Sequence, residues 1–103
     1  MAEIIWLDPA TDDLEDIVEY ISFDDPDAAS RVTARILRHV RQLAAHPKSG
    51  SVPHELPKSE YRQIVEPPCR IFYKIKGDTV FIVYVMRSES ILRLSRLEDP
   101  ELQ

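Results

Sequence analysis

Residues 61–87 read YRQIVEPPCRIFYKIKGDTVFIVYVMR, and this stretch decides the fold. It contains three extended runs, 61–66, 70–75 and 79–87, rich in β-branched and aromatic residues. Pro67-Pro68 separates the first pair and Gly77-Asp78 the second. Connectors this short join antiparallel neighbours, because a parallel crossover takes about a dozen residues. Ile71-Phe72-Tyr73 and the run 80–86 are apolar at successive positions, so both of their faces are expected to be buried. They are predicted to form the middle of a sheet.

Upstream, Glu3-Ile4-Ile5-Trp6-Leu7 is too short for a helix and reads as a strand, which Asp8-Pro9 ends. Thr11 or Asp12 is then expected to cap a helix near 12–23, with Leu14, Ile17, Val18 and Ile21 as its apolar stripe. Asp24-Asp25-Pro26-Asp27 interrupts that pattern. Asp25 suits the cap, and Pro26 the first turn, of a second helix running to about residue 45. Its stripe is Ala29, Val32, Ile36, Val40 and Leu43, with Arg31, Arg35 and Arg38 on the opposite side. His46-Pro47 stops it, and a loop follows that contains Pro47, Gly50, Pro53 and Pro57. After the last strand, Ile91, Leu92, Leu94 and Leu97 predict a short helix or an extended arm, and residues 98–103 are expected to fray. The order β-α-α-β-β-β implies an α+β fold: a small antiparallel sheet with an N-terminal helical hairpin packed on one face. Residues 1–103 fit one domain.

Composition narrows the function classes. The chain is 44% hydrophobic and 30% charged, which suits a globular domain and not a disordered one. No apolar run approaches the ~18–20 residues that cross a bilayer, and MAEIIWLDP does not read as a secretory signal, so no membrane partner is expected. The single cysteine, Cys69, forms no internal disulfide and points to a reducing, cytoplasmic setting. Two glycines, Gly50 and Gly77, are too few for a phosphate loop or a dinucleotide fingerprint. His39, His46 and His54 follow no metal-ligand pattern, so neither a metal nor a cofactor is expected.

Charge is divided along the chain. Residues 1–30 hold ten acids and no Lys or Arg, while all 13 basic residues lie beyond. The formal net charge of −5 disfavours non-specific phosphate binding. Arg62, Arg70 and Arg87 each lie in or at the end of one of the three C-terminal strands. They suit either recognition of phosphate or carboxylate, or ordinary pairing with Glu60, Glu66 or Asp78. Spacing alone leaves these two readings equal. Cys69 reads as a small buried hydrophobe.

Several pieces in order carry a resemblance. They are Asp8-Pro9-Ala10, Leu14-x-x-Ile17-x-x-Tyr20-Ile21, Pro26-x-Ala28-Ala29, Leu43-x-x-His46-Pro47-x-x-Gly50, Tyr61-Arg62, Arg70-Ile71-Phe72-Tyr73 and Val85-Met86-Arg87. Over about residues 3–95 the chain resembles the RelE/ParE superfamily of toxins from bacterial type II toxin–antitoxin modules. The resemblance implies the α+β fold and a cognate antitoxin, in a hetero-oligomer or beside a homodimer. RelE-like members are ribosome-dependent mRNA endonucleases; on that alternative, ribosome and mRNA are the partners and Arg62, Arg70 and Arg87 are the catalytic candidates. ParE-like members inhibit DNA gyrase by binding it, with no catalytic residues expected. Residues 88–103 hold no Tyr, His or Lys to move a proton, and the chain is acidic. Both features favour the ParE-like class. The expected partner-binding residues are Arg31, Arg35 and Arg38 for the antitoxin, and Arg87, Ile91, Leu92 and Leu94 for the target. A third alternative is an inactive homologue that only binds antitoxin.

Overall fold

The computed structural model describes residues 1–90. Strand β1 (Glu3–Trp6) leads into helix α1 (Asp8–Asp24) and helix α2 (Pro26–Arg41), which ends in a 3₁₀ turn (Gln42–Ala44). After the proline-rich loop come β2 (Arg62–Glu66), β3 (Cys69–Lys76) and β4 (Thr79–Arg87). The sheet order is β1-β4-β3-β2. β2, β3 and β4 pair antiparallel, as their short connectors predict. β1 lies parallel to β4, with Glu3 opposite Thr79 and Trp6 opposite Ile82, so the four-stranded sheet is mixed. The connection from β1 to β4 carries the whole helical hairpin, ample chain for a parallel pairing.

The helix boundaries follow local chemistry. Asp25 caps α2 through a 3.0 Å bond from the Ala28 N–H to its carboxylate, and Pro26 sits in the first turn, as expected. α1 differs. It begins at Asp8, and its N-cap, Leu7, makes no side-chain cap bond. Neither Thr11 nor Asp12 is the cap. The strand ends at Trp6, and the fixed φ of Pro9 fits the helix's first turn, so helix follows strand with one residue between.

One core lies between the helices and the sheet. Val32, Ile36, Val40 and Leu43 meet Ile64, Ile71, Tyr73, Val80, Ile82 and Val85, with Leu14, Ile17 and Ile21 at its margin. The opposite sheet face is also buried. There Phe72, Val83, Tyr84 and Met86 pack with Leu7, Leu56, Tyr61 and Phe81. The middle of β4 is apolar at every position and carries a β-bulge: Phe72 faces Tyr84 while Tyr73 faces Ile82, leaving Val83 as the extra residue. Beyond it the alternation is inverted, so Val85 and then Arg87 turn to the helix side. The 77–78 hairpin takes Gly77 at the position of positive φ, +58°.

Candidate functional site

The three strand arginines do not converge. Arg70 lies on the sheet face away from the helices, its guanidinium carbon 4.8 Å from the Phe72 ring centroid. It is 6% exposed. Its Nη1 and Nη2 donate to the two Glu55 carboxylate oxygens at 2.9 and 2.7 Å. Nε and Nη2 donate to Gln63 Oε1 at 3.0 and 2.8 Å, and Nη1 to the Ser90 carbonyl at 3.0 Å. A guanidinium has five N–H groups, and here each has a protein acceptor. Arg70 therefore ties the proline-rich loop, β2 and the chain beyond β4 to one point. Its acidic partner is Glu55, not the Glu60, Glu66 or Asp78 that strand spacing suggested.

Arg62 lies on the helix side, opposite Tyr73 in register. Its Nη1 donates to the carbonyls of Gly50 at 2.8 Å and Lys48 at 3.2 Å. Tyr73 works with it: the Gly50 N–H donates to the Tyr73 hydroxyl at 2.9 Å, and that hydroxyl donates to the Pro47 carbonyl at 2.7 Å. Burial pushes the Tyr73 hydroxyl pKa up, against smaller opposing effects of the Gly50 bond and Arg62. Arg87 also lies on the helix side, but opposite Cys69, four residues from Tyr73 along β3 and across it. That separation is roughly 13 Å along the strand. The Arg87 guanidinium carbon stands 5.6 Å from the Tyr20 ring centroid of α1, and its Nε lies 3.3 Å from Glu89 Oε1. Cys69 is buried, and burial pushes its thiol pKa up, which suits a packed thiol and not a nucleophile.

The α2 arginines also divide. Arg31 and Arg38 are exposed. Arg35 turns toward β2, where its Nη2 donates to the Pro67 carbonyl at 3.3 Å and its Nε stands 3.7 Å from Glu66 Oε2. His39 meets the other oxygen of Glu66 at 3.2 Å. On the opposite flank of α2, a groove of about 700 Å³ runs between the helices. Val18, Ser22, Ser30, Thr33 and Leu37 floor it, and Arg38 and Arg41 stand at one end. Acids of α1 line one side of this hairpin and arginines of α2 the other. Ile91, Leu92 and Leu94 lie outside the described residues.

Sequence reading missed three contributors. Glu55 sits in an aperiodic loop, so nothing local marks it as the partner of Arg70. Asp13 reads as one of many surface acids, yet its Oδ2 accepts the Val85 N–H at 3.1 Å, fastening α1 to the bulged half of β4. Tyr20 appeared only as a motif position; its spacing of three from Phe23 was the available signal that both share one flank of α1. Among the described residues no group of three His, Cys, Asp or Glu stands close enough to hold a metal ion. No helix among them is long and apolar enough to cross a membrane.

Three comparisons bear on this architecture. The profile of the family described as "ParE toxin of type II toxin-antitoxin system, parDE" matches residues 4–92. A protein of Sinorhizobium fredii (strain NBRC 101917 / NGR234), named "Putative toxin Y4kP", is 40% identical over 85 residues, covering 82% of this chain and 86% of that protein. A solved structure titled "Chromosomal ParDE TA system from P. aeruginosa" superposes with a TM-score of 0.71 at 25% identity, over 86% of this chain and 98% of that one. Sequence order, mixed-sheet topology and these matches agree: the chain belongs to the ParE toxin family of type II toxin–antitoxin systems.

Proposed function

We propose that this toxin arrests cells in the cytoplasm by binding DNA gyrase, without catalysis by its own residues, and that a cognate antitoxin silences it. The observation that carries this reading is the closure of Arg70. A ribonuclease needs preorganised donors aimed at a scissile phosphate. All five Arg70 donors are already bonded within the protein, and Arg62 holds loop carbonyls on the other sheet face. Arg62 and Arg70 thus support the sheet and its loop. Arg87 is the outward-facing member, and with Ile91, Leu92 and Leu94 it is the proposed target contact.

For the antitoxin, the interhelical groove and its basic wall supply the docking surface. Its small residues, Ser22, Ala29, Ser30, Thr33 and Ala34, admit an apolar helix, and Arg38 and Arg41, with the exposed Arg31 on the same helix, favour an acidic edge on that helix. Arg35, engaged by Glu66 on the opposite flank of α2, stands outside the groove. The test is induced expression in cells with and without the antitoxin encoded beside it. Filamentation with DNA damage, relieved by the antitoxin, is the expected outcome. Rapid translation arrest with cut mRNA would overturn the gyrase reading.

A further inference from the structure

α1 has a second flank, facing away from the interhelical groove. Tyr20 and Phe23, three residues apart, stand on it 66% and 78% exposed. Among the described residues the other large exposed apolar side chains, Met1, Leu37, Val52 and Val65, are scattered over other parts of the chain. A trough of about 380 Å³ opens beside the pair, lined by Asp16, Ile17, Tyr20 and Arg87. Arg87 reaches it because the bulge at Val83 inverts the end of β4, and it lies over the Tyr20 ring at 5.6 Å. Tyr20 and Arg87 line the trough, and Phe23 stands exposed three residues on along the same flank; aromatics and arginine are the residue types that dominate binding energy at interfaces. At 100° per residue, Asp12, Asp16, Glu19 and Asp24 surround the pair on the helix surface.

We infer that this flank, centred on Tyr20, Phe23 and Arg87, is the surface by which the toxin holds its target, and that the target presents an apolar side chain flanked by Lys or Arg. The inference rests on the proposed binding mechanism and deepens it. It assigns target and antitoxin to different surfaces. The acidic rim selects a basic partner here, whereas the arginine wall of the groove selects an acidic one. The Tyr20 ring, already held by Arg87, loses little freedom on binding, which suits an anchor.

The test compares the full-length wild-type chain with the double variant Tyr20→Ala/Phe23→Ala, with Tyr20→Phe, and with the rim variant Asp16→Lys/Glu19→Lys. Each is measured for growth arrest against inducer dose, for affinity to the cognate antitoxin and for thermal melting. Both aromatics are exposed, so melting is expected to hold. The double variant should need on the order of thirtyfold more toxin for the same arrest. Tyr20→Phe, which keeps the ring over Arg87, should lose much less than the double variant. The rim variant should also be weakened, and all should bind antitoxin as the wild type does. Unchanged arrest by the double variant would overturn the inference, as would an equal loss of antitoxin affinity. If the double variant melts early, the rim variant decides instead: unchanged arrest there overturns the inference. Assay of the wild type on purified gyrase separates the two levels. Loss of arrest in the variants together with an unaffected gyrase leaves the target surface standing and overturns the gyrase reading alone. A wild-type chain that arrests no cells overturns both.

Discussion

Arg70 shows what one residue decides. Spacing along the strands placed it equally well as a phosphate ligand or as a structural partner. The structure gives it a bidentate pair with Glu55 and three further bonds at 6% exposure. Breaking a buried pair leaves an uncompensated charge, so Arg70→Ala should destabilise the fold by about 3–5 kcal/mol in urea unfolding. A stable, fully folded Arg70→Ala protein would contradict the clamp. Tyr73 gives a second expectation. Its hydroxyl bridges Gly50 and Pro47, and Tyr73→Phe should lose about 1–3 kcal/mol by leaving the Gly50 N–H without that acceptor. Because burial raises its pKa, the stabilisation is complete below the ordinary tyrosine value of 10.0 and disappears as pH rises through the higher folded value. Stability curves for wild type and Tyr73→Phe should therefore converge in alkali, and a gap independent of pH would contradict the assignment. The local residues were legible where chemistry is local: Asp25 and Pro26 announce the start of α2 unaided. Arg70 was not, because its partner lies 15 residues away in a loop without periodicity.

At the scale of elements, the three C-terminal strands could be read from their connectors, which force their pairing. β1 could not be placed in the same way. Its partner begins at Thr79, and no connector length fixes which edge a distant strand takes. The bulge at Val83 was also hidden, because a run apolar at every position carries no alternation to lose. Its effect is large: it sets Arg87 beside α1 and leaves the Val85 N–H to the Asp13 carboxylate. Asp13→Ala should strand that N–H and lower stability by about 1–3 kcal/mol, while Asp13→Asn, whose amide oxygen still accepts, should lose less. Paired urea melts check this, and equal losses in the two variants would show that the bond to Val85 is not what Asp13 supplies.

The whole molecule is electrostatically two-sided. Among the described residues, acids gather on α1 and the exposed arginines, Arg31, Arg38 and Arg41, on α2, and the net charge of −5 conceals both. This division was visible in the sequence, although which faces it marks depends on how the hairpin sits on the sheet. If the antitoxin docks along the basic wall, Arg31→Glu/Arg38→Glu should slow its association about tenfold or more at low salt, with a smaller effect at high salt. Stopped-flow association at two ionic strengths measures this; rates equal to wild type at low salt would remove the stripe from the interface. The central claim, that the toxin works by binding and not by cutting RNA, meets its most direct test with the purified wild-type chain. One portion is added to gyrase and relaxed plasmid, and another to ribosomes translating a defined mRNA. The account predicts that supercoiling is inhibited while the mRNA stays intact; cleaved mRNA with undisturbed supercoiling would contradict it.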